Sequence, residues 1–80
     1  MYHVYLIRST TNPKETYIGF TSDIKQRLQE HNSGKSLHTA DFRPWYLVSY
    51  VSFDNKSKAL SFEKHLKSGS GHAFAKKHFW

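Results

Sequence analysis

Three segments of the chain carry the β-branched and aromatic residues that are typical of β-strands. YHVYLIR covers residues 2–8 and TYIGF covers residues 16–20. The intervening STTNPKE is rich in turn-forming residues, so these two strands should pair as an antiparallel hairpin. The third segment, WYLVSYVSF, covers residues 45–53 and is largely apolar on both of its faces. This pattern predicts a central strand that is covered on both sides.

The spacing of apolar residues after the hairpin predicts a helix over residues 24–32. Ser22 is the expected N-cap, with Asp23 in the first turn, and Gly34 is the expected left-handed residue just after the helix. The core-facing positions of this helix are Ile24, Arg27, Leu28 and His31. Two of these four side chains are cationic or titratable, which is unusual for the inward face of a helix in so short a chain.

A second helix is predicted after the third strand, from a cap at Asp54 or Asn55 to Gly69 as its C-terminal residue. The stripe of this helix that faces the core consists of Ala59, Phe62, Glu63 and Leu66. Glu63 is therefore the one carboxylate that helical periodicity turns inward. The Gly-Ser bend that follows precedes a short basic segment, which can form one further helix.

These elements follow one another in β-β-α-β-α order, with an optional final helix. They predict an α+β fold in which helices flank a small three-stranded antiparallel sheet. A chain of 80 residues has room for one core, so we expect a single domain over residues 1–80.

The net charge of the chain indicates which kinds of molecule it binds. Twelve Lys and Arg against six Asp and Glu give a formal net charge of +6, which favours nucleic acid or anionic lipid as a partner. The chain has no cysteine, so disulfides and thiolate metal sites are excluded. We see neither a signal peptide nor an apolar run long enough to span a membrane, and we expect a cytoplasmic protein with no membrane partner.

The inward polar residues of the two helices allow two interpretations. Arg27 and Glu63 could form a buried structural ion pair beside a hydrogen-bonded His31, or all three could line a functional cleft. A buried ion pair seldom stabilises a protein more than apolar residues of the same size. We therefore favour the cleft.

The segments VYLI, TYIGFT and FEKHLKSG, together with a helix that carries Arg and His four residues apart, resemble the GIY-YIG nuclease family. The likeness extends over nearly the whole chain. It is closest to small stand-alone bacterial members and looser to the excinuclease and to structure-selective repair nucleases. The second half of the family motif is intact as Tyr17-Ile18-Gly19, whereas the first half reads His3-Val4-Tyr5, with histidine in place of glycine. The asparagine that several members carry after the glutamate is also absent.

The resemblance implies a metal-dependent endonuclease that hydrolyses DNA phosphodiester bonds in repair or processing, with structure-selective or weak specificity. Arg27 would stabilise the charge that develops on the phosphate. Glu63 would hold a single Mg²⁺ or Mn²⁺, with no small-molecule cofactor. Tyr17 would be the base that activates water, and His31 would donate to phosphate or assist proton transfer. Tyr5 would hydrogen-bond to the nucleophile or to phosphate, or else simply pack in the core.

Several further residues are expected to contact nucleic acid. Gly19 would let the backbone pass close to the substrate. The cations expected to contact the DNA phosphates are Lys35, His38, Arg43 and Lys67, with Lys64, Lys76 and Lys77. The alternative function is a non-catalytic nucleic-acid-binding module of the same fold. An inward Glu63 argues against that alternative, because a pure binding protein gains nothing from a carboxylate beside phosphate.

Overall fold

The computed structural model describes residues 1–80 as a three-stranded antiparallel sheet with three α-helices. The strands are β1 (Tyr2–Ser9), β2 (Thr16–Thr21) and β3 (Trp45–Phe53). The helices are α1 (Ile24–Ser33), α2 (Lys56–Leu66) and α3 (Gly69–His78). A short 3-10 turn, Ala40–Phe42, lies between α1 and β3. The α+β class and the element order are confirmed, including the third helix.

The order of strands in the sheet is β2-β1-β3, so β1 is the central strand. The prediction that β3 is central was wrong. Its two apolar faces have another cause, which is a register shift between Leu6 and Ile7 where β1 pairs with β3. Because of this irregularity, Trp45 packs on the α1 side of the sheet while Phe53 packs on the α2 side.

The alternating residues of β1 form two small cores, one on each face of the sheet. Val4 and Leu6 face α2 and α3 and are fully buried. Tyr5 and Ile7 face α1 and pack against Trp45. Burial of each such large apolar side chain contributes about 1.5–3 kcal/mol. The sheet is therefore held between α1 on one face and the α2–α3 pair on the other.

The cap of α1 lies one residue later than Ser22, at Asp23. Asp23 keeps an extended backbone, and its carboxylate accepts a hydrogen bond from the Gln26 N–H. Asp and Ser are almost equally good caps, so local preference could not decide between them. At the other end, Gly34 has φ 85°, which confirms the predicted left-handed residue.

The second helix ends at Leu66 and not at Gly69, which corrects the predicted boundary. Ser68 caps a new helix by accepting a hydrogen bond from the Gly71 N–H, and Gly69 is the first residue of α3. Ser next to Gly favours a helix start as readily as a helix end. None of the three α-helices combines the length and the apolar character needed to cross a membrane.

Gly19 on β2 pairs directly with Tyr5 on β1. A Cβ atom built at Gly19 would overlap the phenol oxygen and ring of Tyr5. Gly19 is also buried, so it offers little backbone to a nucleic acid. We predicted that Gly19 lets the substrate approach the backbone. The structure gives a different reason for the glycine: the Tyr5 ring occupies the space where a side chain would be.

We expect Gly19→Ala to lower the free energy of unfolding by about 1–3 kcal/mol, because the added methyl group must displace the Tyr5 ring. Gly69→Ala is the matched control, since nothing lies within 4 Å of a Cβ at that position. At a first helical residue the control should be neutral or slightly stabilising. Urea unfolding followed by circular dichroism measures both, and equal stabilities would contradict the packing role of Gly19.

Candidate active site

The hydroxyl group of Tyr5 is the centre of a hydrogen-bonded cluster between β1 and α1. Arg27 Nε donates to the Tyr5 oxygen at 3.3 Å, and this oxygen lies 2.8 Å from His31 Nε2. His31 is fully buried and Tyr5 is 2% exposed. Because Arg27 and His31 are four residues apart, they lie on the same face of α1. Their predicted inward orientation is confirmed.

The hydrogen bonds determine the tautomer of His31. Its Nδ1 lies 2.7 Å from Thr39 Oγ1, and the Thr39 hydroxyl donates to the Ser36 carbonyl at 3.4 Å. With a proton on Nδ1 alone, His31 donates to Thr39 and accepts from the Tyr5 hydroxyl, which itself accepts from Arg27. The donors of Tyr5, His31 and Thr39 are then all satisfied. The opposite tautomer would place the Tyr5 oxygen between two donors and leave its own hydrogen without an acceptor.

Burial keeps both members of the Tyr5–His31 pair neutral. It lowers the pKa of His31 to about 4, and the nearby positive charge of Arg27 acts in the same direction. It raises the pKa of Tyr5 to about 12, although the hydrogen bond from Arg27 opposes this rise. At neutral pH the pair is therefore an uncharged support, with both imidazole nitrogens engaged.

Arg27 is held at two points of its guanidinium group. Nε donates to Tyr5, and Nη1 donates to Glu30 Oε1 at 2.9 Å. Burial by itself would lower the pKa of Arg27, but the hydrogen bonds to Glu30 and Tyr5 outweigh it and raise the pKa. Nη2 has no partner within the protein, and the side chain is 31% exposed. A fixed cation with one free edge suits the binding of an anion.

Tyr17, Glu63 and Lys67 form a more exposed group at the β2 edge of the sheet. The centroid of the Tyr17 ring lies 5.2 Å from that of the His31 ring, which joins this group to the buried cluster. Lys67 Nζ lies 5.7 Å from the centre of the Tyr17 ring and 3.3 Å from Glu63 Oε2. The Tyr17 hydroxyl makes no hydrogen bond within the protein, so it is available to water or to a ligand.

The predicted alternative of a buried Arg27–Glu63 pair is contradicted. Arg27 pairs with Glu30, three residues along α1, and Glu63 pairs with Lys67, four residues along α2. Both carboxylates are partly exposed, and each such pair contributes about 0.2–1 kcal/mol at most. The i to i+3 and i to i+4 spacings were visible in the sequence and favour these partners.

The structure brings together the residues predicted for catalysis. Tyr5, Arg27 and His31 form the buried cluster, and Tyr17 and Glu63 form the adjoining edge group with Lys67. Thr39 is an addition that the sequence did not signal, because it lies in the irregular segment between α1 and β3, which has no hydrophobic periodicity.

The remaining predicted cations before β3 lie apart from this group. Lys35, His38 and Arg43 are exposed in the connection from α1 to β3. Arg43 Nε donates to the Ala40 carbonyl at 2.7 Å, which holds that side chain against its own segment. No hydrogen bond or ion pair connects the three to Tyr17 or Glu63. They remain predicted phosphate contacts.

His3, which replaces the motif glycine, fits a regular strand. Its Nδ1 lies 2.6 Å from Ser52 Oγ on the neighbouring β3, and no residue other than Gly34 has a positive φ. Position 3 therefore does not need the conformational freedom of glycine in this chain.

Metal binding at this site depends on one carboxylate. No group of three His, Asp or Glu side chains is arranged to hold a metal ion together. Mg²⁺ retains most of its waters and is commonly held by one or two carboxylates. Glu63, which is 21% exposed and carries a single exchangeable partner in Lys67, fits such a hydrated hard cation. It does not fit zinc, which takes three or four nitrogen or sulfur ligands.

A free phenol, a carboxylate and an oriented arginine near one edge of the sheet are the kinds of group that hydrolytic sites use. The profile described as the GIY-YIG catalytic domain matches residues 1–77. The chain therefore belongs to the GIY-YIG family of nuclease domains, as the motif resemblance predicted.

Named relatives fall into two groups. Over 73 residues the chain is 41% identical to structure-specific endonuclease subunit SLX1 of Debaryomyces hansenii, an alignment that covers 82% of this chain and 21% of that protein. Over 68 residues it is 35% identical to a UPF0213 protein of Haloquadratum walsbyi, and the alignment covers 84% of this chain and 74% of that protein. Over 63 residues it is 40% identical to UPF0213 protein YsiG of Lactococcus lactis, and the alignment covers 78% of this chain and 59% of that protein. The chain thus spans about a fifth of the length of SLX1.

The neutral state of buried His31 predicts an acid-sensitive fold. An unfolded histidine has its ordinary pKa of 6.5, and the folded state lowers it to about 4. Protons therefore bind preferentially to the unfolded chain. The contribution of His31 to stability is complete above pH 6.5 and declines as the pH falls toward 4, by about 3 kcal/mol in total.

Urea unfolding between pH 7 and pH 4.5 measures this loss, and NMR titration of the His31 ring identifies the group directly. His31→Gln should flatten the pH dependence above pH 5. His38→Gln, a change at an exposed histidine, should retain it. A His31 ring that titrates near pH 6.5 in the folded protein would contradict the assignment of a buried neutral imidazole.

Proposed function

We propose that this protein is a divalent-metal-dependent endonuclease that hydrolyses phosphodiester bonds in DNA. One observation carries the proposal: the free Tyr17 hydroxyl, the Glu63 carboxylate and the unpaired edge of Arg27 lie around a buried Tyr5–His31 support. The name of the fungal relatives, a structure-specific endonuclease subunit, supports a substrate that is selected by its DNA structure. The role that we propose is in DNA repair or processing. The cysteine-free composition agrees with a cytoplasmic location.

In this proposal Arg27 stabilises the transition state. Attack on a phosphodiester places additional negative charge on the non-bridging oxygens. The free Nη2 of Arg27 can bind these oxygens, while Tyr5 and Glu30 already hold the rest of the guanidinium group. Because the donor is oriented before the reaction, no reorganisation is required when the charge develops.

Tyr17 is the proposed general base. Its hydroxyl has no hydrogen-bond partner in the protein, so it is free to contact a water molecule, and the ammonium group of Lys67 lies over its ring. Tyr5 is a poor base by comparison, because it is buried, its hydroxyl is bonded to His31 and its pKa is raised to about 12. Full burial and two engaged nitrogens likewise support a positioning role for His31.

Glu63 is the proposed ligand for Mg²⁺ or Mn²⁺. Bound there, the ion would act as a Lewis acid on the phosphate and the leaving oxygen. Lys67 balances the Glu63 charge in the present arrangement. Lys35, His38 and Arg43 are proposed to contact phosphates further along the DNA. Incubation with supercoiled plasmid and with branched DNA, in Mg²⁺, Mn²⁺ or EDTA, tests the activity as a whole.

Glu63→Gln should abolish cleavage and leave the fold intact. The variant removes only a partly exposed pair with Lys67, so the free energy of unfolding should change by less than about 1 kcal/mol. DNA binding measured in EDTA should be unchanged or slightly tighter, since an anion facing phosphate is neutralised. Cleavage assays, thermal melts and binding titrations check the three outcomes.

Glu15→Gln is the control for Glu63→Gln, because it makes the same chemical change and the same change in net charge in the β1–β2 turn. It should cleave like the wild type. If wild-type protein binds DNA and leaves every substrate intact in Mg²⁺ and Mn²⁺, the chain is a binding module and not a nuclease.

Phenylalanine variants of the two tyrosines should fail in different ways. Tyr17→Phe should melt like the wild type and lose about 10²–10⁴-fold in cleavage rate, as expected for a lost general base. Tyr5→Phe leaves the buried His31 Nε2 without a donor and should lower the unfolding free energy by about 1–3 kcal/mol. Near-normal cleavage by Tyr17→Phe, with loss in Tyr5→Phe, would exchange the roles of the two tyrosines.

A further inference from the structure

Two open depressions, with volumes of about 300 and 410 Å³, run side by side away from the candidate active site. Tyr17 and Lys67 line the first depression, which places its mouth at the proposed catalytic tyrosine. Thr16, His72 and Trp80 line both depressions. The two therefore form one continuous channel between the β1–β2 hairpin and α3, which we call the hairpin groove.

The far half of the hairpin groove is strongly positive. Arg8, Lys14 and Lys76 line it, and no Asp or Glu side chain lines either half. The two ion pairs of the chain involve Arg27 and Lys67, so none of these three cations has an acidic partner. An unneutralised cluster of this kind attracts a polyanion.

Arg8 is held in the groove by an aromatic ring and not by a carboxylate. The guanidinium carbon lies 5.3 Å from the centre of the Trp80 ring. Its Nε is buried and has no hydrogen-bond acceptor. A buried donor without a partner is costly and is normally satisfied by an acceptor. A ligand anion in the groove can supply that acceptor, either directly or through water.

Trp80 indicates which kind of polyanion the hairpin groove binds. It lies between the two depressions and packs against the core cluster of Val4, Leu6 and Leu66, so its ring has a defined position in the groove. Aromatic rings beside positive charge are the features by which proteins hold unpaired nucleic acid, since the bases of a single strand are free to contact them. The bases of a continuous duplex are stacked on one another and cannot.

We propose that the hairpin groove binds an unpaired DNA strand that continues from the phosphate cleaved beside Tyr17. Arg8, Lys14 and Lys76 contact its phosphates, and Trp80 contacts a base or sugar. The inference rests on the proposed function, because the strand is an extension of the nuclease substrate. It assigns the selection of a single-stranded tail to residues outside the catalytic group.

The test compares binding of a duplex with a single-stranded tail and a blunt duplex of the same length, both in EDTA. The chain has two tryptophans, and Trp45 is 4% exposed, so a change in tryptophan fluorescence when DNA binds reports mainly on Trp80. We expect the tailed DNA to bind about tenfold more tightly. We also expect it to change the Trp80 fluorescence more than the blunt DNA does.

Matched charge variants locate the tail. Lys14→Gln with Lys76→Gln should abolish the preference for tailed DNA. This double variant should also lower the slope of log K against log salt by about 1.4 for that DNA, or about 0.7 for each lost phosphate contact. Lys56→Gln with Lys58→Gln makes the same charge change at the start of α2 and should retain the preference. Both lysines of each pair are exposed, so the variants should fold.

Equal affinity of the wild type for tailed and blunt DNA would overturn the groove assignment, as would equal loss in the two double variants. Because binding is measured without metal, this result is independent of cleavage. If only the Lys14 and Lys76 variant loses tail binding but the wild type cuts no substrate in Mg²⁺ or Mn²⁺, the proposed nuclease function is wrong and the proposed strand-binding groove is supported. If the wild type cuts DNA but the Lys14 and Lys76 variant keeps its preference for tailed DNA, the proposed nuclease function is supported and the proposed strand-binding groove is wrong.

Discussion

The hydrogen bond between the Tyr5 hydroxyl and buried His31 is the constraint on which the remaining structure depends. It joins the central strand to α1 inside a very small core, where an unsatisfied polar group would be costly. The cost is avoided because Arg27 and Thr39 complete the hydrogen bonding at the two ends of the pair. The Tyr5 ring also needs the space above Gly19. The motif glycine is therefore part of the same packing arrangement as the histidine.

This constraint divides the polar residues into a neutral interior and a charged edge. Tyr5 and His31 are uncharged at neutral pH because burial disfavours their ionised forms. Arg27 is bonded to the interior at Nε and presents a free nitrogen outward. Tyr17 lies on the edge strand β2, and Glu63 and Lys67 of α2 lie next to it, where solvent and a long ligand have access. Rigidity is thus supplied by the buried groups, and the exposed groups remain accessible to solvent and to a ligand.

Local sequence patterns determined most of the secondary structure. The strand at residues 45–53 and the left-handed Gly34 agree with prediction because each depends on neighbouring residues in the chain. The helix boundaries at Asp23 and Leu66 differ from prediction because Ser, Asp and Gly serve almost equally well at adjacent positions. The position of β3 at the sheet edge could not be predicted from its own residues. It depends on a register shift against β1, which moves alternate side chains of β3 from one face to the other.

By itself, the sequence determined the helical phase that turns Arg27, His31 and Glu63 inward, since a period of 3.6 residues leaves little freedom. The tyrosine and glycine of the second motif likewise pointed to the family before any contact was known. Only the tertiary structure decided that Arg27 meets Tyr5 rather than Glu63, and that Thr39 orients His31. It alone decided that Arg8, Lys76 and Trp80 share a groove. These pairings join residues far apart in the chain, and their energies depend on burial and distance, which no local pattern encodes.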